Sequence, residues 1–306
     1  MNLREWALPV YTILMQLAIG GLFVLWMVRL LIGSKLDSQK MDRIIRNPLL
    51  IISVTVIVAM IGSHFHLSKP LHSFYAARNF KSSWLSREIV FTAVFFLTLS
   101  ALWFVSRFKP ARSKLITILG WVAVAFGFTV IYCMARIYLL PTQVAWNSVT
   151  VIISFFITAL LLGTMTIACL LVLDLRFAEI QKVQNIEIHE QVIKYSMVWL
   201  TWFALLMVIF HLMVLLYQIH QLKQGDITSQ TSLKLLLELY LPLFEMRISL
   251  IVVAPLWMGY AVYWMRKAGA APQTLMAPVY MSCLLILIAE ILGRFLFYAT
   301  HIRLGI

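Results

Sequence analysis

The sequence predicts an all-α integral membrane protein: an eight-transmembrane-helix bundle with both termini outside, built as a single membrane domain over residues 1–306. Three observations predict it. Hydrophobic residues make up 62% of the chain and charged residues 12%, where a soluble domain holds roughly half and a quarter. Mean hydropathy is +0.92. The apolar residues also gather in long uninterrupted runs, whereas the strands of a membrane β-barrel alternate apolar with polar. A soluble enzyme, a disordered chain and a secreted disulfide scaffold are excluded. The net charge of +13 is no nucleic-acid signal, because the basic residues sit in short loops between apolar runs, where membrane topology puts them.

Each span follows from cutting the chain at its charges. About 20 apolar residues cross a hydrocarbon core of about 30 Å, and eight runs qualify: 8–31, 48–68, 88–106, 115–139, 147–173, 196–218, 246–265 and 274–299. The first run follows Arg4 and Glu5 and is too long for the apolar part of a signal peptide, so it reads as a span. A turn containing Pro141 separates the fourth from the fifth. The polar, helix-prone segment 174–194 is expected to form a surface helix. Residues 231–243 are apolar but too short to span, and are expected to lie on the membrane or pack on the bundle.

Orientation follows from Lys and Arg. The loops after spans 1, 3, 5 and 7 carry Lys35, Lys40, Arg43 and Arg46, then Arg107, Lys109, Arg112 and Lys114, then Arg176, Lys182 and Lys194, then Arg266 and Lys267. The loop between spans 4 and 5 carries none. The basic loops are therefore cytoplasmic. The loop between spans 2 and 3 breaks the pattern with Lys69, Arg78, Lys81 and Arg87. Scatter in the charge bias and a surface for a partner or an anionic ligand both fit.

Ionisable side chains at membrane depth cost several kcal/mol and mark candidate sites. Counting 1.5 Å per residue, His66, Glu88, Arg136 and Arg247 fall near the outer face of four different spans. Glu290 and Arg294, four residues apart on span 8, share a helix face in its outer half. The set suggests a polar cavity opening from the outer half. The alternative is a local Glu290–Arg294 pair with the others snorkelling to water. His64 reads as lipid- or interface-facing, and His211, mid-span with no carboxylate nearby in sequence, as a hydrogen-bonded packing histidine in preference to a haem ligand. Cys133, Cys169 and Cys283 each lie inside an apolar run without metal-type spacing and read as small hydrophobes, so no cluster is expected in this chain. Such a cavity suits a quinol: two oxygens need hydrogen-bond partners in an apolar pocket, and proton removal needs a base. His66 and Glu88 flank one outer loop and fit those roles. The arginines would keep a carboxylate ionised and stabilise a quinolate.

Several stretches resemble the membrane-anchor subunit of bacterial anaerobic dimethyl sulfoxide reductase. They are EWALPVYTILMQLAIGG (Glu5–Gly21), HLSKPLHSFYAARNFKSSWLSREI (His66–Ile89), ARIY (Ala135–Tyr138), Met246-Arg247-Ile248 and AEILGRFLFYATHIRLG (Ala289–Gly305), in the family's order. The family's His-Leu-Gly-Ser-Pro is departed from at Ser68-Lys69. The resemblance implies a haem-free, non-catalytic anchor in the bacterial inner membrane. It implies menaquinol oxidation, with electrons passed to an iron–sulfur subunit beside a molybdopterin catalytic subunit in anaerobic respiration. It also implies no haem or cluster in the chain itself and no nucleic-acid partner. The family's quinol-site histidine and glutamate fall on His66 and Glu88. Arg136, Arg247, Glu290 and Arg294 join the candidate quinol-binding set from depth alone. The alternatives are a b-type cytochrome anchor, with His66 and His301 as axial ligands, and a small-molecule transporter, whose expected half-to-half symmetry is not evident.

Overall fold

The computed structural model describes residues 3–33, 41–42, 44–64, 75, 77–182 and 186–302. Among these there is no strand, and eight helices are long and apolar enough to cross a membrane. In chain order the helices are α1 Leu3–Gly33, α2 Arg46–His64, α3 Trp84–Phe108, α4 Ser113–Ile137, α5 Val149–Ile180, α6 Ile186–Gln224, the short α7 Ile227–Lys234, α8 Leu241–Ala268 and α9 Met276–Ala299. All but α7 are span candidates. The short connections make neighbours antiparallel: α3 packs on α4, α5 on α6 and α8 on α9.

Two helices form the centre. In their most apolar stretches 67% of α1 and 72% of α5 is buried, against 28–39% for the other six. Lipid offers no hydrophobic gain for helix–helix contact, so close packing must come from small residues that let backbones approach. Gly20 and Gly163 supply this: a Cβ on Gly20 would stand 1.8 Å from the Ala159 carbonyl oxygen, and one on Gly163 would stand 2.1 Å from the Gly20 carbonyl carbon. Trp26 uses a third glycine. Its indole covers Gly120, and its Nε1 donates to the Thr117 carbonyl at 3.3 Å.

Polar contacts latch the end of the bundle away from the two termini. Arg29 donates to Asp42 Oδ1 at 2.7 Å and to the hydroxyls of Thr117 and Ser113 at 2.8 and 3.0 Å. Asn47 donates to Asp174 at 2.6 Å, and Gln273 to Glu179 and Glu190 at 2.6 and 3.2 Å.

Segment 174–194 differs from the surface helix expected of it. It is divided: α5 continues through Ile180, and α6 starts at Ile186. No Gly or Pro interrupts residues 186–224, and Val192, Ile193 and Ser196 are buried, so the helix runs on past its apolar stretch to 39 residues. Residues 231–243 also split. α7 is followed by a π-helical turn at Leu235–Leu239, in which the Tyr240 amide donates to the Leu235 carbonyl at 3.0 Å, and α8 begins at Leu241 with Pro242 in its first turn.

Candidate functional site

The terminal end of the bundle, where α1 begins and α9 finishes, carries a cavity of about 100 Å³ bounded by α5, α6, α8 and α9. Ser148 donates to Gln221 at 2.8 Å, which levels the start of α5 with the end of α6. Thr158 and His211 each lie ten residues inward from that contact, about 15 Å down their helices. His211, expected from the sequence at mid-span, stands at that depth in the cavity wall with Thr158, Arg247, Glu290 and Arg294.

Four helices contribute one polar group each. Arg247 of α8 places Nη2 3.0 Å from His211 Nε2 of α6 and 3.8 Å from Glu290 Oε2 of α9. Thr158 of α5 donates to the same Glu290 oxygen at 3.1 Å. Glu290 is 2% exposed and His211 4%. Three polar atoms in this group are buried and have no hydrogen-bond partner: Glu290 Oε1, His211 Nδ1 and Arg247 Nε. An unmet buried group costs about 1–3 kcal/mol, so the group is built with capacity to spare.

Gly293 makes the arrangement possible. A Cβ there would stand 2.5 Å from Arg247 Nε and 2.7 Å from its Cζ, so the guanidinium lies directly against the α9 backbone. Nothing in the spacing of the sequence marks Gly293 for this role.

Arg294 lies beside the group rather than in an ion pair with Glu290. Its Nη2 donates to Gln16 Oε1 at 2.7 Å, and the Gln16 amide donates to the Phe155 carbonyl at 2.9 Å. Its guanidinium sits 3.9 Å from the centre of the Phe155 ring. Among the described residues no carboxylate approaches Arg294 within 4.0 Å. A buried arginine, Arg294, and a half-buried one, Arg247, therefore face one carboxylate, and the cavity carries excess positive charge. Aromatic rings roof it: Trp146 stacks on Phe297 with centroids 4.9 Å apart and on His301 at 4.5 Å, and donates to the Phe297 carbonyl at 2.9 Å.

Glu88 and Arg136 belong to another group, on α1, α3 and α4. Glu88 is 6% exposed and lies within hydrogen-bonding reach of Tyr11, whose hydroxyl stands 3.5 Å from Thr92 Oγ1. Arg136 and Arg87 hold their guanidiniums 4.7 and 4.2 Å from the Trp84 ring. Tyr138, two residues after Arg136, packs toward the cavity: its hydroxyl hydrogen-bonds that of Tyr298, and its ring touches Phe155 and Phe297, with centroids 5.6 and 5.1 Å away. The six residues singled out from sequence thus divide. Arg247 and Glu290 meet, Arg294 flanks them, Glu88 and Arg136 sit apart on α3 and α4, and His66 lies outside the described residues. No group of three His, Cys, Asp or Glu that could hold a metal occurs among the described residues.

An all-helical bundle with eight membrane-length spans and a buried polar cavity near one end defines a multi-pass membrane protein. Residues 1–300 match the family described as DMSO reductase anchor subunit (DmsC), and the chain belongs to that family. It is 28% identical over 176 residues to the anaerobic dimethyl sulfoxide reductase chain YnfH of Escherichia coli, covering 55% of this chain and 58% of that one. It is 27% identical over 161 residues to a second anaerobic dimethyl sulfoxide reductase chain of the same organism, covering 52% and 55%. It is 25% identical over 180 residues to an anaerobic dimethyl sulfoxide reductase chain from Haemophilus influenzae, covering 59% and 63%. These matches span less than two thirds of each relative's length.

Proposed function

We propose that the chain is the haem-free anchor and menaquinol-oxidising subunit of a molybdopterin oxidoreductase complex in the bacterial inner membrane, with its terminal end facing outside. It holds an iron–sulfur subunit and a molybdopterin catalytic subunit at the membrane and passes quinol electrons to the former. The observation that carries this reading is the cavity: buried, aromatic-roofed, with unmet acceptor and ring-nitrogen capacity and two arginines against one carboxylate. A quinol needs such partners for its oxygens and a base for its protons. Arg247, Glu290 and Arg294 serve the ring at the cavity. Glu88 and Arg136 belong to the second polar group, where Glu88 serves as a further proton acceptor; His66, assigned to the quinol from the family resemblance, is proposed to act with Glu88.

The chemistry asked of the chain is modest. Glu290, braced by Thr158 and Arg247, accepts from a ring hydroxyl. The arginines favour the electron-rich oxygen that remains when a proton leaves.

The test begins with composition. The tagged chain, purified in mild detergent from anaerobically grown cells, is expected to bring molybdenum and many irons with it and to show no haem band. Glu290→Gln and Glu88→Gln are each expected to cut oxidation of a soluble menaquinol analogue while the complex still assembles. Absence of both metals from an intact preparation, or normal turnover in both variants, would refute the reading.

A further inference from the structure

Arg247 decides which nitrogen of His211 carries the proton. A guanidinium has donors only, and Arg247 Nη2 stands 3.0 Å from His211 Nε2. Nε2 therefore accepts. A doubly protonated ring would set two donors against each other at that distance, so the contact holds the imidazole neutral, with its proton on Nδ1. That N–H is buried and has no partner in the protein. Native proteins leave few such donors unmet.

The donor's surroundings say what it is for. His211 lines the cavity with Glu290, whose Oε1 is a buried acceptor without a partner. The lining therefore offers the His211 donor from α6 and the Glu290 acceptor from α9, beside the unmet Arg247 Nε and Ser232 Oγ, with the rings of Phe155 and Phe297 in edge contact at 6.3 Å in the same wall. A flat aromatic ring bearing hydroxyl or carbonyl oxygens matches those walls, and an aliphatic or strongly hydrated ligand does not.

Resting on the quinol reading above, we propose that His211 is a ligand-binding residue of this cavity, donating from Nδ1 to an oxygen of a quinol or quinone ring in the tautomer that Arg247 imposes. Three substitutions separate donor position from packing. In His211→Asn the amide branches from Cγ, as Nδ1 does, so a donor is kept in place. In His211→Gln the polar end reaches where Nε2 stood. His211→Phe has neither. Binding of a short-tailed naphthoquinone to the full chain in detergent is measured by calorimetry, with thermal unfolding as the folding control.

The Asn variant is expected to bind within about threefold of wild type, and the Gln and Phe variants about tenfold or more weakly, the weight of one hydrogen bond. Wild-type affinity in the Phe variant overturns the proposal. So does equal loss in all three, which is packing, and so does retention by Gln with loss in Asn, which moves the donor to Nε2. A wild-type protein that binds no naphthoquinone sinks the quinol reading itself, a separate result from any of these. The tautomer is read without mutation, from the ¹⁵N resonances of labelled histidine in the wild-type protein. A proton on Nδ1 that shifts on ligand addition supports the proposal, and a proton on Nε2 overturns it even if every variant fails to fold.

Discussion

Gly293→Ala adds a single methyl group to α9, and its cost is read from the cavity. The new Cβ would lie 2.5, 2.7 and 2.8 Å from Nε, Cζ and Nη2 of Arg247, where ordinary contact begins at 3.4 Å. The guanidinium must retreat by about 1 Å, the difference between those distances. Such a retreat is too large for the 3.0 Å contact to His211. A hydrogen bond to a charged group is worth about 1.5–3 kcal/mol, a factor of roughly ten to a hundred. The affinity for a naphthoquinone analogue and the kcat/KM for quinol oxidation are therefore expected to fall by that factor. Thermal stability should change little, because a flexible side chain yields rather than the backbone. Arg247→Lys supplies the control: an ammonium has no planar group to strike the methyl, so Gly293→Ala should cost much less in that background. The assay is a double-mutant cycle on both quantities. Equal losses from Gly293→Ala in the two backgrounds, or none in either, would refute the claim that this glycine seats the arginine.

Other expectations test other parts of the molecule. Glu88→Gln should lower quinol-oxidation kcat by roughly a hundredfold, the low end of a general base's contribution, whereas Thr92→Val, which alters only the neighbour of Tyr11, should cost far less; equal effects would argue against a proton role for Glu88. Gly163→Val should prevent accumulation of the folded protein, since overpacking costs roughly 1–3 kcal/mol per inserted group and this one meets the Gly20 backbone at 2.1 Å; wild-type yield on a membrane blot would contradict the packing described. Asp226, outside the spans, caps α7 by accepting from the Ser229 amide and hydroxyl at 2.9 and 2.7 Å, which holds its carboxyl below the ordinary value. Its folded-state value being depressed, the cap's stabilisation is complete above the unfolded carboxylate value and is lost as pH falls through the folded one. Asp226→Ala should speed amide exchange in α7 at neutral pH and make no difference well below that range; a pH-independent effect would show that the charge is not involved.

The eight membrane-length helices were legible in the sequence because apolar length is a one-dimensional property, and lipid demands it of every crossing helix. Where the polarity rose at 174–194, hydropathy alone suggested a separate surface helix. The chain instead extends α6 by ten residues from Ile186, because helix propensity does not stop where apolarity does. The π turn at Leu235–Leu239 was illegible for the opposite reason. Its composition is that of an ordinary helix, and only the junction of α7 with α8 forces the wider turn.

For the candidate site, sequence carried depth but not direction. Counting residues from the ends of the runs put Arg247, Glu290 and Arg294 at related heights, and heights are independent of how helices rotate about their axes. Which side chains meet depends on that rotation, and rotation is set by contacts such as Gly20 on Ala159 that no single helix encodes. Glu290 and Arg294 show the consequence. Four residues apart on one face, they left a local pair open as the alternative to a shared cavity, and in the fold Glu290 turns to Thr158 and Arg247, and Arg294 to Gln16. His211 shows the converse. It read as a hydrogen-bonded packing histidine with no partner in view, and the length of α6 and the Ser148–Gln221 contact bring it level with Thr158 and against Arg247, the partner that the sequence could not name. A pocket shared by four helices is therefore found by asking which polar atoms remain unmet once the helices are docked. At this cavity those atoms are a serine hydroxyl from α7 and a carboxylate oxygen, a ring nitrogen and a guanidinium nitrogen around one arginine, which is seated by a residue with no side chain at all.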